Sequence, residues 1–145
     1  MRGYFGIGIM NGKTPENLGT LWRSAYQLGA AFIFTIGRRY RKQSSDTTKT
    51  MLYLPYYHYN DLEHFLSSRP VDCVLVGIET CGKDIILSKH PERAIYLLGA
   101  EDHGLSTDAL NECQRVISLP AIRIQCFNVA VAGSLVMYDR MLKAA

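Results

Sequence analysis

Three polar side chains stand where an otherwise apolar chain turns into or out of a regular element, and a fourth, an Arg, interrupts an apolar helical run. They are Asn17 and Arg23 in TPENLGTLWRSAYQLG (14–29), Glu101 in LLGAEDHGLS (97–106) and Asn128 in SLPAIRIQCFNVAVAG (118–133). A guanidinium suits phosphate, because its planar donors engage two oxygens at once. Negative charge just ahead of a helix complements the positive end of the helix dipole, and an Asn at a helix mouth caps free backbone N–H groups. Taken one at a time, each residue has an ordinary structural explanation: a capping Asn17 and Asn128, a solvated Arg23, a dipole-complementing Glu101. Gly99 and Gly104 in the second stretch would let a backbone approach a bound molecule closely. That stretch follows a strand and precedes a helix, at the strand end where α/β folds place ligands.

Two nearby patterns carry no chemistry. GIMNGKT (8–14) nearly spells a phosphate-binding loop, but the glycines leave gaps of the wrong length and Pro15 follows at once. GIGIMN (6–11) lacks the third glycine of a dinucleotide fingerprint, and its first two fall inside a strand, where close packing explains them.

The elements that must position the four residues follow from apolar periodicity. YFGIGIM (4–10) reads as a buried strand ended by Asn11-Gly12. Thr14 is a candidate cap, Pro15 suits a first helical position, and Leu18, Leu21, Trp22, Ala25 and Leu28 recur at helical spacing until Gly29. On that helix Arg23 points away from the apolar stripe and lies about 120° around the axis from Asn17. Further strands are expected at 31–36, 71–78, 94–98 and 116–119, and helices at 61–67, from Ser106 to 113, and at 127–143. The aromatic segment MLYLPYYHYND (51–61), broken by Pro55, fits no single assignment. Strands that are continuous apolar runs separated by helices belong to a parallel sheet covered on both faces. The expected class is α/β, with five or six mostly parallel strands and helices on both faces, in one domain spanning 1–145.

The 145 residues suffice for a full core, and a 48% hydrophobic, 20% charged composition excludes a disordered chain. A net charge of +3 permits a nucleic-acid partner without requiring one. No signal-peptide pattern opens the chain, and the longest apolar run is too short to cross a bilayer. The expectation is a soluble, cytoplasmic protein away from membranes. Cys73, Cys81, Cys113 and Cys126 show no zinc-ligand spacing. They are expected to be free thiols, most of them buried.

In order, NLGxxxR, LGxExxGLS and an LP followed by NVAVA resemble the three motifs of the SpoU/TrmH family of SPOUT RNA methyltransferases. The resemblance runs from Pro15 to about Tyr138. It implies an α/β fold with a C-terminal trefoil knot, and transfer of a methyl group from S-adenosylmethionine to a ribose 2′-hydroxyl of tRNA or rRNA. It also implies a homodimer and no metal. It places Arg23 on the RNA side, activating the hydroxyl or holding a phosphate, with Asn17, Glu101 and Asn128 organising the site. Cofactor contacts fall to Leu98, Gly99, Ile117, Leu119, Cys126, Val129 and Ala130, largely through main-chain groups. The third motif usually begins Ser-Leu-Asn, whereas this chain has Cys126-Phe127-Asn128. A thiol is a weaker hydrogen-bond partner than a hydroxyl.

Two further expectations concern partners. Arg38, Arg39, Arg41 and Lys42 gather around Tyr40, a cluster suited to RNA phosphates with a base on the ring. The last helix carries Val129, Val131, Leu135, Val136, Met137, Met141 and Leu142 around most of its circumference, enough for both the core and a dimer contact. With no accessory domain in view, tRNA is favoured over rRNA. The alternatives are an RNA-binding relative of weak catalytic power and a base methyltransferase on the same fold.

Overall fold

The computed structural model describes residues 3–37, 53–79, 89–123 and 126–144. In chain order the elements are β1 (Tyr4–Met10), α1 (Pro15–Gln27), β2 (Phe32–Ile36), β3 (Tyr56–Tyr59), α2 (Leu62–Ser68), β4 (Val74–Glu79), β5 (Arg93–Leu98), α3 (Thr107–Glu112), β6 (Arg115–Ser118) and α4 (Val129–Ala144). The six strands form one sheet in the order β3-β2-β1-β5-β4-β6, and every pairing is parallel.

The two-residue period of a strand divides the core in two. Ile7 and Ile9 of β1, Val76 and Ile78 of β4, and Tyr96 and Leu98 of β5 join α1 and α4 in one apolar cluster. Met10, Phe34, Leu75, Ile95 and Leu97 pack with Phe65 of α2 and Ala109 of α3 in the other. The sheet is therefore the middle layer of three, as the continuous apolar runs predicted. Gly6 and Gly8 lie beneath the rings of Phe32 and Phe34, where a Cβ would collide with them; close packing is their reason.

Two boundaries differ from the sequence reading. The strand expected from Val71 starts at Val74, with Val71 almost fully exposed in a turn. The unassigned aromatic segment supplies β3, an edge strand whose Tyr56 and Tyr59 face inward while Tyr57 stays half-exposed. Pro55 immediately precedes its first residue, a position that requires no ladder donor.

Cys73 and Cys113 are free thiols, and burial pushes the Cys113 thiol up to about 11, which leaves it unreactive. Cys126, in contrast, is disulfide-bonded. The expectation of free thiols throughout is corrected at that position; sequence spacing does not report which sulfurs meet in space.

Candidate functional site

The strand order sets the location. β1 has β2 on one side and β5 on the other, so successive strands depart from β1 in opposite directions. The carboxyl ends of β1 and β5, at Met10 and Leu98, lie side by side at that switch point, where parallel sheets open a crevice. Each of the three motif stretches ends there or enters a helix beside it.

Glu101, just past β5, reaches across the crevice to the chain leaving β1. Its carboxylate accepts hydrogen bonds from the backbone N–H of Lys13 at 3.1 Å and of Thr14 at 2.5 Å. Thr14 is the N-cap of α1, but its own side chain makes no cap hydrogen bond. Glu101 thus serves the opening of a helix that begins more than eighty residues earlier. Burial works to raise the pKa of this carboxylate, and the Lys13 and Thr14 hydrogen bonds outweigh it, so the group is held below the usual glutamate range. It is an ionised brace at neutral pH, with both oxygens engaged.

Asn17, on the first turn of α1, is buried. Its side-chain oxygen accepts from the Asn128 amide nitrogen at 3.0 Å. The capping role open to Asn17 in the sequence is set aside: its side chain faces α4 instead. Asn128 fills both roles considered for it. Its Oδ1 accepts from the N–H groups of Ala130 and Val131 at 2.9 and 3.2 Å, capping α4, while its Nδ2 reaches Asn17. The two N–H groups fix the amide orientation, since a flipped NH2 would confront them donor to donor. Asn17, Glu101 and Asn128 therefore meet at the mouth of α1.

Arg23 lies elsewhere on the same helix, on its exposed face, about 9 Å along the axis from Asn17. Arg38, Arg39, Arg41 and Lys42 lie outside the described residues.

The expected cofactor contacts divide. Leu98, Ile117, Val129 and Ala130 are buried in the cluster shared by α1 and α4, with Leu119 packed against it. Ile117 and Leu119 also line a cavity of about 230 Å³, together with Pro120, Leu135, Val136, His90 and Asp139. Gly99 does not offer the open approach expected of it. The backbone of Gly104 and Leu105 fills the space where its Cβ would stand, and Ala100 and Gly104 exchange backbone hydrogen bonds at 3.2 and 2.8 Å. Gly104 itself has φ +66°, a left-handed conformation that favours glycine. The glycines close a tight loop that aims Glu101. Cys126, being disulfide-bonded, has no S–H to donate. Among the described residues, no group of His, Cys, Asp and Glu could hold a metal ion, and no helix is long and apolar enough to cross a membrane.

The chain matches the model of the SpoU rRNA Methylase family over residues 5–138. It belongs to that family.

Solved structures agree on the fold of this SpoU-family chain. An AdoMet-bound rRNA methyltransferase from Sinorhizobium meliloti superposes with a TM-score of 0.82 at 22% identity, covering 97% of this chain and 56% of that one. The SpoU methyltransferase AviRb from Streptomyces viridochromogenes gives 0.85 at 22% identity, covering 98% and 60%. A structure bearing on the 2-OH methylation of C/U34 on tRNA gives 0.82 at 18% identity, covering 99% and 92%. The chain thus spans little more than half the length of the first two. No curated protein sequence matches it.

One feature of this cavity was not visible in sequence. His90 is buried in the cavity wall, with Nδ1 2.7 Å from the Tyr96 hydroxyl and Nε2 2.7 Å from Asp139 of α4. Arg140, also buried, donates to the carbonyls of Pro91 and Glu92 and to the Tyr96 hydroxyl at 2.6, 2.8 and 3.1 Å. Burial lowers the His90 pKa and the Asp139 hydrogen bond opposes it, with a net downward shift. This network ties the far half of α4 to the segment entering β5. A His-Pro-Glu run before a strand and an Asp-Arg pair on a helix gave no hint of pairing.

Proposed function

We propose that this SpoU-family chain transfers a methyl group from S-adenosylmethionine to a ribose 2′-hydroxyl of RNA, with tRNA favoured over rRNA, as a cytoplasmic homodimer. The observation that carries the reading is the meeting of Asn17, Glu101 and Asn128, one from each motif, at the crevice between β1 and β5. Support for tRNA comes from the C/U34-related structure, which this chain matches over nearly its whole length.

The residues present suit the cofactor. A flat adenine requires an apolar slot with few, well-placed polar groups. The cavity beside β6 offers Ile117, Leu119, Pro120, Leu135 and Val136, with the Asp139 carboxylate among its lining groups. Main-chain groups at Ile117, Leu119, Val129 and Ala130 would hold it, with Leu98 and Gly99 supporting the loop behind. When bound, the cofactor supplies an electrophilic methyl group on a sulfonium sulfur. The protein has to orient the ribose and raise the reactivity of its hydroxyl. Glu101 is not the base, because both its oxygens already serve α1. Asn17 and Asn128 fix the relative position of the α1 and α4 mouths. Arg23 holds the RNA, its guanidinium on a phosphate or against the 2′-oxygen. The segment from β6 through Asn128 into α4 is, on this reading, the threaded part of a trefoil knot.

The dimer rests on α4. Its residues Val129, Val136 and Met137 enter the core, whereas Val131, Leu135, Tyr138, Met141 and Leu142 remain exposed. An apolar strip of this kind marks an interaction surface. Arg38, Arg39, Arg41 and Lys42 are assigned to RNA phosphates. Neutralising the three arginines should lower affinity and reduce the salt slope by about 0.7 for each single-strand phosphate that is no longer neutralised.

The deciding experiment is labelled methyl transfer from S-adenosylmethionine to unmodified tRNA and rRNA, followed by nuclease mapping. A 2′-O-methylated nucleotide is the expected product. Label on a base, or none despite cofactor binding by calorimetry, overturns the reading.

A further inference from the structure

The aromatic segment 53–59 has a divided fate. Tyr56 packs on Trp22 of α1, ring centroids 5.0 Å apart, and its hydroxyl meets that of Thr35. Tyr59 lies against Phe34 and Phe65. Those rings are core. Tyr53 behaves differently: it is 66% exposed and lies 6.1 Å from the ring of Tyr26 of α1, itself 46% exposed, at an interplanar angle of 37°. Two large rings lie beside each other at the surface, tilted by about two-fifths of a right angle.

Helix geometry places this pair relative to Arg23. Ser24 faces α4, bonding Ser134 at 2.9 Å. At about 100° per residue Tyr26 lies on the opposite flank from Ser24, and Arg23 lies between them, about 60° from Tyr26 and about 4.5 Å along the axis. The rings are thus set apart from the apolar strip of α4, which is the surface suited to a second copy. Beside them is a cation, in a chain of net charge +3.

We propose that Tyr26 and Tyr53 form a stacking platform for a nucleobase of the RNA, next to the nucleotide that Arg23 holds. The inference rests on the RNA reading above and deepens it. A guanidinium and a phenol ring presented from neighbouring positions of one helix suit the phosphate of one nucleotide and the base of the next. Stacking on an aromatic ring tolerates any base, because every base has a π-face. The platform therefore positions substrate without selecting its sequence, and Tyr26 and Tyr53 are positioning residues.

The test uses the full chain and two fluorescein-labelled probes at fixed salt: a single-stranded oligouridylate about twelve nucleotides long and its abasic counterpart, read by anisotropy. Wild type should bind the base-bearing probe about tenfold or more tighter than the abasic one. Tyr26→Ala with Tyr53→Ala should bind both probes alike, at the wild-type abasic level, whereas Tyr26→Phe with Tyr53→Phe should keep the difference. Trp22, the single tryptophan, reports folding of both variants through its fluorescence melt. Discrimination by the double alanine variant equal to wild type overturns the platform. So does equal binding of both probes by wild type, which leaves RNA binding itself intact. Loss of self-association in the double alanine variant assigns the rings to a subunit contact and also overturns it. Failure of wild type to bind either probe at low salt removes the RNA reading, and the platform with it.

Discussion

Asn128 donates its side-chain amide to Asn17 at 3.0 Å across 111 positions of sequence, while its carbonyl oxygen caps the helix it opens. One side chain thereby fixes the start of α4 and couples it to the start of α1. The two jobs use different atoms, which makes them separable by mutation.

Asn128→Asp retains an acceptor for the Ala130 and Val131 N–H groups but places a carboxylate against the Asn17 oxygen. Thermal stability should fall only by the lost Asn17 contact, about 1 kcal/mol, since Asp and Asn cap comparably. Methyl transfer should fall about tenfold or more, the equivalent of a lost hydrogen bond of roughly 1.4 kcal/mol at the site. Asn128→Ala loses the cap as well, at a cost of about 1 kcal/mol. Calorimetric melts beside initial rates distinguish the two.

Glu101→Gln should weaken the hold on Lys13 and Thr14, because an amide offers one acceptor oxygen and turns a donor toward the helix. The expected loss is about 1–2 kcal/mol, or about 4 °C in Tm. The pH dependence has a definite sign. The folded pKa of Glu101 is depressed, so its stabilisation is present above the unfolded value of about 4.3 and is lost as pH falls through the lower folded value. Urea titrations of wild type and variant should therefore converge in acid; a pH-independent gap contradicts the brace.

His90 gives the same sign of pH dependence, beginning at higher pH. Burial keeps it neutral, with a folded pKa below its ordinary value. As pH falls below about 6.5 the unfolded chain takes up a proton that the folded chain does not, so stability declines. His90→Gln should flatten that limb of the stability profile, and NMR should show the wild-type ring titrating below about 6.5.

Met141→Glu combined with Leu142→Glu puts charge on the exposed strip of α4 without touching the buried Val136 or Met137. Sedimentation should then show a monomer with an unchanged circular-dichroism spectrum. A mass equal to that of wild type removes α4 from the subunit contact.

How far these features were legible depended on whether the signal was local. β1, α1 and α4 announce themselves through uninterrupted apolar period, and their bounds agree with expectation to within a few residues. β3 is not assignable from sequence, because four consecutive aromatic and His residues show no apolar–polar alternation and the run reads equally as loop. Asn17, Glu101 and Asn128 were found by the order of their motifs, yet the direction of each contact was not. Nothing local says that Glu101 binds the Lys13 and Thr14 amides leading into α1, or that the Thr14 side chain leaves the helix uncapped. The disulfide at Cys126 and the pairing of His90 with Asp139 depend wholly on which loops become neighbours. In sequence Gly99 and Gly104 suit ligand approach, whereas Gly99 admits the chain's own backbone and Gly104 supplies a left-handed turn.

The reach of Glu101 back to Lys13 and Thr14 also bears on assembly. A chain made from its amino terminus has the residues of α1 more than eighty positions before the carboxylate that binds the two amides leading into it. Until β5 joins β1, the Lys13 and Thr14 amides have water in place of that carboxylate. Maturation of the helix is thus tied to closure of a long loop, a contact of high sequence separation and hence a slow one. The mouth where the three motifs meet is therefore held by contacts between distant parts of the chain.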